Sequence, residues 1–363
     1  MTAPPRLTAL RARLVELGVD AMLVAGAANM RYLTGFPRVF DDGIDAAVLV
    51  SADRSAFHTD SRYIEAAETA ATGTVWEIAG QRESVLEDAL GQAAEWGAGT
   101  LAIEDSTTVA RYRRLKKLFK GRLLVTEHVV EALRAVKDEA EVAAIERAAA
   151  LTDLALEHVT GTLTPGMREI DISLALEVFM RSHGSEGLAF APIVAGGPNS
   201  SRPHAGVTER AVRAGELLTM DIGARVDGYC ADLTRTVVVG RADEEQRRVY
   251  EAVLAANEAA LAAVRPGIGC ADLDAVARGV LVERGLGERF GHGLGHGVGL
   301  VVHEMPSVGG RSRDVLVAGH VITIEPGAYV PGFGGVRIED LVVVVEGGAR
   351  KLSHSPKHLM EIG

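Results

Sequence analysis

Apolar residues in the first part of the chain alternate between helical and strand-like spacing. Four leucines between Leu7 and Leu17 recur every three or four residues, which predicts an amphipathic helix. Short apolar runs follow at 20–25 and 45–50, and runs of this length are typical of buried strands. Because helices and strands alternate as far as about residue 105, we expect a small α/β domain with a mostly parallel sheet.

The pattern changes near residue 130. An alanine-rich segment over 135–159 keeps helical spacing for its whole length and begins with acidic residues, which favour the N-terminus of a helix. We therefore place a domain boundary here, between an N-terminal domain over 1–132 and a C-terminal domain over 133–363.

The C-terminal domain contains an internal duplication. A Pro-Gly pair at 165–166 recurs at 266–267, and in both copies a helical pattern precedes the pair and another follows it. GELLTMDIGA at 215–224 is likewise similar to GHVITIEPGA at 319–328. Repeats about 100 residues apart are too long for a solenoid and indicate a duplicated half-domain.

The duplication places acidic residues at matching positions of two apolar strands. Asp221 in the first copy corresponds to Glu325 in the second, and Asp232 and Glu339 follow them by 11 and 14 residues. Four carboxylates that converge on one cleft would repel each other and lose hydration. The pattern therefore predicts that cations offset their charge at a metal site.

A simpler interpretation exists for any one of these acids. A single acid in such a strand is more often exposed, or paired with an arginine of the same segment such as Arg235 or Arg337. Since four acids occupy pseudo-symmetric positions, we favour the metal site for the group as a whole.

A histidine-glycine segment, GHGLGHGVGLVVH at 291–303, supplies nitrogen ligands for such a site. It is not a phosphate-binding loop, because no lysine follows in P-loop spacing. It is not a zincin motif either, because His303 and Glu304 are followed by Met-Pro-Ser instead of completing HExxH. One histidine with four carboxylates suits a two-ion site of manganese, cobalt, iron or zinc.

The composition narrows the class of protein. The chain of 363 residues has a formal charge of −11 and is 47% hydrophobic, which is typical of a globular protein and argues against nucleic-acid binding. Two cysteines are too few for a disulfide framework and fit a reducing cytoplasm. Since neither a signal peptide nor a run of about 18 apolar residues is visible, we expect a cytoplasmic protein with no membrane partner.

Five residues together resemble a known ligand set. The order and spacing of Asp221, Asp232, His296, Glu325 and Glu339 are similar to those of the metal ligands in pita-bread metallopeptidases, the group of methionine aminopeptidase, aminopeptidase P and prolidase. The strings MDIGARVDGYCADLTRT, GHGVGLVVHEMP, TIEPGAY and GVRIED carry this resemblance.

The N-terminal strings NMRYLTGF and HTDSRYIEAA resemble the N-terminal domain of creatinase and prolidase, which methionine aminopeptidases generally lack. The resemblance thus implies an α/β N-terminal domain followed by an α+β pita-bread domain built from two pseudo-symmetric halves. It also implies a homodimer, because members of the family are often dimers.

The resemblance further implies roles for the site residues. The five ligands would bind two divalent ions, manganese or cobalt first, with zinc or iron as alternatives. Glu325 would also act as the acid/base, while His204 and His303 would hydrogen-bond the substrate and stabilise the tetrahedral intermediate. His292 is expected to contact the substrate, and Arg337 to contact it or to pair with an acid near the metals.

The length of the substrate stays open at this point. The proline-specific members cleave Xaa-Pro bonds, and a dipeptidase must also bind the C-terminal carboxylate, for which arginine is suited. Some archaeal prolidases place an arginine directly after HE-x-P, where this chain has Ser307, so Arg311 or Arg313 would have to serve. We favour an Xaa-Pro dipeptidase (prolidase) over an Xaa-Pro aminopeptidase. A non-catalytic peptide-binding module is a third hypothesis, against which the complete ligand set argues.

Overall fold

The computed structural model describes residues 4–36, 39–40, 44–80 and 82–363. The chain divides into two compact units, Met1–Arg134 and Ala135–Gly363. Among the helices of the described ranges, none is long and apolar enough to cross a membrane.

The N-terminal unit alternates helices and strands, as the apolar pattern predicts. Its helices are α1 (Pro5–Leu17), α2 (Ala27–Thr34), α3 (Ile64–Ala71), α4 (Val85–Glu95), α5 (Val109–Leu118) and α6 (Val129–Ala135). Its strands are β1 (Ala21–Val24), β2 (Ala46–Ser51), β3 (Ser55–Thr59), β4 (Glu77–Gly80), β5 (Thr100–Glu104) and β6 (Arg122–Thr126).

These strands form one sheet in the order β4-β3-β2-β1-β5-β6. The pairs β1–β5, β5–β6 and β3–β4 are parallel, whereas β2 runs antiparallel to both β1 and β3. Three of the five pairs are thus parallel, as expected for a mostly parallel sheet, and β2 is the strand that makes the sheet mixed. The cause is the three-residue connection between β2 and β3, because so short a link allows only an antiparallel hairpin.

The C-terminal unit contains four long helices and several small sheets within the described residues. The helices are α7 (Glu139–Thr160), α8 (Glu169–Ser182), α9 (Glu244–Ala263) and α10 (Cys270–Glu283), with 3-10 turns at Gly197–Ser201 and Gly287–Arg289. The strands are β7 (Gly187–Leu188), β8 (Ile193–Gly196), β9 (Glu216–Ile222), β10 (Ala224–Val226), β11 (Tyr229–Cys230), β12 (Leu233–Val239), β13 (Gly295–Gly297), β14 (Glu304–Val308), β15 (Val321–Ile324), β16 (Gly327–Val330), β17 (Gly334–Arg337), β18 (Asp340–Val345), β19 (Gly348–Lys351) and β20 (Glu361–Ile362).

The predicted duplication is visible in this order of elements. In each half a long helix, a Pro-Gly turn and a second helix precede a sheet, and the two sheets run β20-β12-β9-β8 and β14-β13-β15-β18-β19. Both long helices begin with a capping box, formed by Asp138 with Glu141 on α7 and by Asp243 with Gln246 on α9. Each half has its own apolar core between its helices and its sheet.

The two halves meet along hydrogen bonds that also place the acidic residues. In the first half Thr234 lies opposite Asp221 in the β9–β12 pair, and in the second Ile324 lies opposite Asp340 in the β15–β18 pair. Across the halves, the backbone N–H of Glu339 donates to the carbonyl of Thr234 at 3.1 Å. The strand ends that carry the predicted ligands are therefore held side by side.

Candidate metal centre and active site

The four predicted acidic ligands occupy equivalent places in the two halves. Asp221 lies in β9 and Asp232 directly precedes β12, while Glu325 directly follows β15 and Glu339 directly precedes β18. Asp232 is 5% exposed and Glu339 is 1% exposed. Each half thus delivers two carboxylates to one buried region from the ends of an antiparallel strand pair.

His296 reaches this region from β13, between two glycines. A Cβ atom on Gly295 would lie 2.1 Å from the carbonyl oxygen of Thr323, and one on Gly297 would lie 2.1 Å from that of Met305. The glycines therefore let β13 pass between its neighbouring strands at a distance that no other residue permits. His296 Nδ1 donates to the carbonyl of Gly297 at 3.2 Å, so that Nε2 is left to face the carboxylates.

The ligand atoms converge at short distances. His296 Nε2 lies 3.4 Å from Glu325 Oε1 and 3.6 Å from Asp232 Oδ2. Ligand atoms of Asp232, His296 and Glu339 all lie within 4.8 Å of one another. Donor atoms this close together can coordinate one cation in common.

Without cations, the clustered carboxyl groups are unfavourable to ionise. Burial and repulsion from Glu339 raise the pKa of Asp232 well above its usual range. Burial and repulsion from Glu325 and Asp221 do the same to the pKa of Glu339. Burial acts to raise the pKa of Glu325, but its hydrogen bond to His296 and the charges of His296, His292 and Arg337 together outweigh burial and lower this pKa.

The donor set fits divalent cations. Asp221 Oδ1 is buried without a hydrogen-bond partner among the described residues, so this oxygen is available as a ligand. The cluster offers carboxylate oxygens and one imidazole nitrogen, which suit borderline divalent metals. Bound positive charge would also remove the repulsion that raises the pKa values of Asp232 and Glu339.

Of the two arginines considered as partners of the acids, one pairs as expected. Arg337 Nη2 donates to Asp221 Oδ2 at 2.6 Å, while Arg235 instead pairs with Asp340 at 2.8 Å in the interior. Pairing with arginine therefore accounts for one oxygen of Asp221. It does not replace a cation for the cluster as a whole.

Arg337 also connects Asp221 to His292 through Tyr329. Arg337 Nη1 donates to the Tyr329 hydroxyl at 2.9 Å, and that hydroxyl lies 2.9 Å from His292 Nε2. Burial raises the pKa of Tyr329 to about 12 and lowers that of His292. The His292 imidazole is therefore neutral, and the Tyr329 hydroxyl is held in place between it and Arg337.

Nine of the ten predicted site residues line one cavity of about 730 Å³. They are His204, Asp221, Asp232, His292, His296, His303, Glu325, Arg337 and Glu339. Phe190, Ile193 and Val207 form part of its apolar wall. The rings of His303 and His296 lie 4.2 Å apart, and burial together with His296 lowers the pKa of His303.

The tenth residue, Arg311, lines a second cavity of about 770 Å³. This cavity shares His292, Gly293 and Ser307 with the first, and Arg313 also lines it. Arg311 is thus placed beyond the His292 side of the metal cluster. The roles of all ten residues remain predictions.

The sequence analysis missed residues that support the ligands. Thr234 Oγ1 donates to Glu339 Oε2 at 2.7 Å, and Thr323 Oγ1 accepts the backbone N–H of His296 at 3.1 Å. Tyr329, the last residue of TIEPGAY, contacts both His292 and Arg337. Thr234 and Thr323 each lie two residues from a predicted ligand, which is the signal that could have found them.

Comparison with known proteins identifies both units. Residues 143–346 match the metallopeptidase family M24, and residues 6–136 match the creatinase/prolidase N-terminal domain. These matches confirm the predicted fold class, an α/β domain followed by a pita-bread domain of two related halves.

Full-length relatives extend the similarity over nearly the whole chain. The Xaa-Pro dipeptidase of Pyrococcus horikoshii is 34% identical over 94% of this chain and 95% of its own length. The structure of an Xaa-Pro dipeptidase from Bacillus anthracis superposes with a TM-score of 0.94 at 36% identity, over 99% of this chain and 100% of that one. An X-Pro aminopeptidase from Thermotoga maritima gives a TM-score of 0.88 at 34% identity, over 97% and 98% of the two chains.

The family match spans the segment that carries every predicted metal ligand, and the similarity to the full-length relatives covers both matched segments of this chain. Taken with the geometry of the cavity, these findings show that the chain belongs to metallopeptidase family M24.

Proposed function

We propose that the protein is a two-metal Xaa-Pro dipeptidase. The observation that carries this proposal is the convergence of four carboxylates and His296, drawn from both halves of the C-terminal unit, on one cavity. The names of the relatives from Pyrococcus horikoshii and Bacillus anthracis support the substrate class.

The five ligands would hold two divalent ions, manganese or cobalt first and zinc or iron as alternatives. When bound, such ions polarise a carbonyl group and lower the pKa of a coordinated water towards about 7. Asp221, Asp232 and Glu339 would serve as ligands only. Glu325 would have the additional task of accepting a proton from the water and passing it to the leaving nitrogen.

Side chains on the cavity wall would orient the peptide. His303, beside His296, would donate a hydrogen bond to the developing oxyanion, with His204 on the same cavity. His292 has its Nε2 fixed by Tyr329, so its ring would contact the substrate in a set orientation. The apolar residues Phe190, Ile193 and Val207 would pack against apolar parts of the substrate.

The position of Arg311 supports a dipeptide over a longer substrate. A C-terminal carboxylate favours a cationic wall, and Arg311 and Arg313 both line the cavity that adjoins the first one at His292. An aminopeptidase is the alternative, and the similarity to the X-Pro aminopeptidase from Thermotoga maritima favours it. In that case the second cavity would accommodate the continuing chain.

We also propose a homodimer in the cytoplasm. Dimers are frequent in the resembled family, and the two cysteines of the chain are free and buried, which fits a reducing compartment.

Peptide hydrolysis tests the proposed function. Metal-stripped protein is reloaded with manganese, cobalt or zinc and assayed on Ala-Pro, Ala-Pro-Gly and, as a control, Ala-Ala. Cleavage restricted to Ala-Pro supports the dipeptidase, and preference for Ala-Pro-Gly supports the aminopeptidase. Hydrolysis of neither proline peptide with any metal would overturn the enzyme proposal in favour of the binding module.

Substitution of Glu325 tests the mechanism in the same assay. Because Glu325 is both a ligand and the proton carrier, Glu325→Ala should lower kcat by at least about a thousandfold. Undiminished turnover by this variant would contradict the assigned role.

A further inference from the structure

An ion pair between Lys137 and Glu304 is buried outside the predicted ligand set. Lys137 Nζ lies 2.6 Å from Glu304 Oε1, and the two side chains are 1% and 5% exposed. Removing both charges from water is costly, so a buried pair is weak evidence of added stability. Its location suggests another reason for its presence.

Glu304 is next in sequence to a predicted site residue. It follows His303, whose ring lies 4.2 Å from that of the predicted ligand His296. Its backbone pairs with Gly297 in the β13–β14 ladder, at a point where the register shifts between His296 and Gly297. A displacement of Glu304 would therefore also shift His303 and His296.

Residues 297–304, from the last residue of β13 to the first of β14, form the 297–304 loop. Its backbone hydrogen bonds include Gly299 N–H to the Val301 carbonyl at 3.1 Å and Cys230 N–H to the Gly299 carbonyl at 2.8 Å. A Cβ atom on Gly299 would lie 2.3 Å from Glu304 Oε1. The Glu304 carboxylate is thus packed against the middle of its own loop.

Lys137 provides a fixed anchor for this carboxylate. Its backbone N–H donates to the Gly319 carbonyl at 2.9 Å, and its Nζ also donates to the Ala135 carbonyl at 3.2 Å. Val136 forms an antiparallel bridge with His320, and Asp138 caps α7 directly afterwards. The lysine is therefore attached to the helix α7 and to the segment leading into β15.

We propose that Lys137 is a positioning residue that acts through Glu304 on His303. The ion pair fixes the 297–304 loop against α7 and so holds the His303 ring beside His296. This inference rests on the proposed peptidase function for its kinetic consequence, whereas its structural consequence is independent of that function.

Two variants and a control test the proposal. Lys137→Met removes the charge with little change in length, and Glu304→Gln removes the opposite charge with none. Leu156→Ala serves as a control that destabilises the apolar core of the first half, a core to which no residue of the loop belongs. For each variant, kcat and KM on Ala-Pro are measured, together with amide hydrogen exchange of peptides that cover the 297–304 loop.

Lys137→Met should lower kcat by about tenfold to a hundredfold with KM changed less than about twofold, because a displacement near 1 Å of a catalytic group has effects of this size. Exchange in the 297–304 loop should become roughly tenfold faster while the peptides of β9 and α9 stay unchanged. Glu304→Gln should change both quantities in the same direction and provides the answer if Lys137→Met does not fold. A third variant that combines Lys137→Met with Glu304→Gln should be less impaired than Lys137→Met, since it leaves no unpaired buried carboxylate.

Leu156→Ala should leave kcat unchanged and raise exchange without preference for the loop. The proposal is overturned if Lys137→Met and Glu304→Gln leave kcat and loop exchange unchanged, or if they raise exchange evenly as Leu156→Ala does. An absence of Xaa-Pro hydrolysis by the unmodified protein would contradict the proposed function alone, since the exchange measurement still decides the role of the ion pair.

Discussion

At the scale of single residues, His320 shows how the interior sets the charge of a side chain. The residue is 7% exposed, and its Nδ1 accepts the backbone N–H of Val317 at 3.3 Å. Burial, with a smaller contribution from the charge of Lys137, lowers its pKa to about 4, while Asp314 opposes this shift. The imidazole is therefore neutral in the folded protein over most of the range in which an unfolded histidine is protonated.

This difference predicts a loss of stability in weak acid. Between about pH 6.5 and pH 4 the unfolded chain binds a proton at residue 320 that the folded chain does not, so the free energy of unfolding falls as the pH falls. Since a tenfold change in proton affinity is worth about 1.4 kcal/mol and solvent partly reaches the ring, we expect about 2 kcal/mol from this residue. Urea unfolding at pH 7 and pH 4 measures it.

A variant that cannot titrate provides the control. Asparagine at this position keeps an acceptor for the Val317 N–H, so His320→Asn should lose about 2 kcal/mol less than the unmodified protein between pH 7 and pH 4. Equal losses in the two proteins would show that His320 does not contribute.

The same scale shows which site residues a sequence reveals. Asp221 and Glu325 stand out because an acid within an apolar strand is costly and recurs at matching places in both copies. Lys137 and Glu304 each look like ordinary surface residues in the sequence. They are 167 positions apart in the chain, and only folding brings them together. Their pairing has no local pattern from which it could be predicted.

At the scale of secondary structure elements, the helices could be predicted more fully than the sheets. The spacing of apolar residues in α1 and α7 and the acidic start of α7 are local features, and both helices lie where the sequence predicts them. The mixed sheet of the N-terminal unit depends on which strands become neighbours. Apolar runs of four to six residues carry little information about direction, so the antiparallel placement of β2 was not foreseen.

The capping boxes of the two long helices predict a measurable contribution at this scale. Asp243 Oδ1 accepts the N–H of Gln246 at 2.7 Å, and Gln246 Oε1 accepts the N–H of Asp243 at 3.0 Å. Asp243→Ala removes an acceptor from the start of α9 and should lower the free energy of unfolding by about 1 kcal/mol. Asp243→Asn retains the acceptor and should cost only a few tenths of that amount. Equal effects of the two substitutions, in urea unfolding at pH 7, would contradict a capping role.

At the scale of the whole molecule, part of the charge of −11 is concentrated at one place. Asp221, Asp232, Glu325 and Glu339 contribute four negative charges to a single cavity, so two dications would bring the net charge to −11 + 4 = −7. The duplication explains this concentration, because each half alone brings only two carboxylates. The stability of the C-terminal unit should then depend on metal and on pH together.

Removal of metal should destabilise the protein most strongly at high pH. Burial and mutual repulsion raise the pKa values of Asp232 and Glu339. Above about pH 4, where unfolded carboxyl groups lose their protons, the folded stripped protein must therefore ionise these acids against repulsion, and its stability falls as the pH rises. Bound metal at a thousandfold excess over its Kd would add about 4 kcal/mol. The gap in Tm between loaded and chelator-treated protein should thus widen from pH 5 to pH 8.

A variant of one ligand tests the same repulsion. Glu339→Gln removes one negative charge, and its side chain can still accept a hydrogen bond from Thr234. When both proteins are stripped of metal at pH 8, this variant should melt above the unmodified protein, and added metal should stabilise it less. A Tm that chelation leaves unchanged at pH 8, or a stripped Glu339→Gln that melts below the stripped unmodified protein, would count against a cation-dependent cluster.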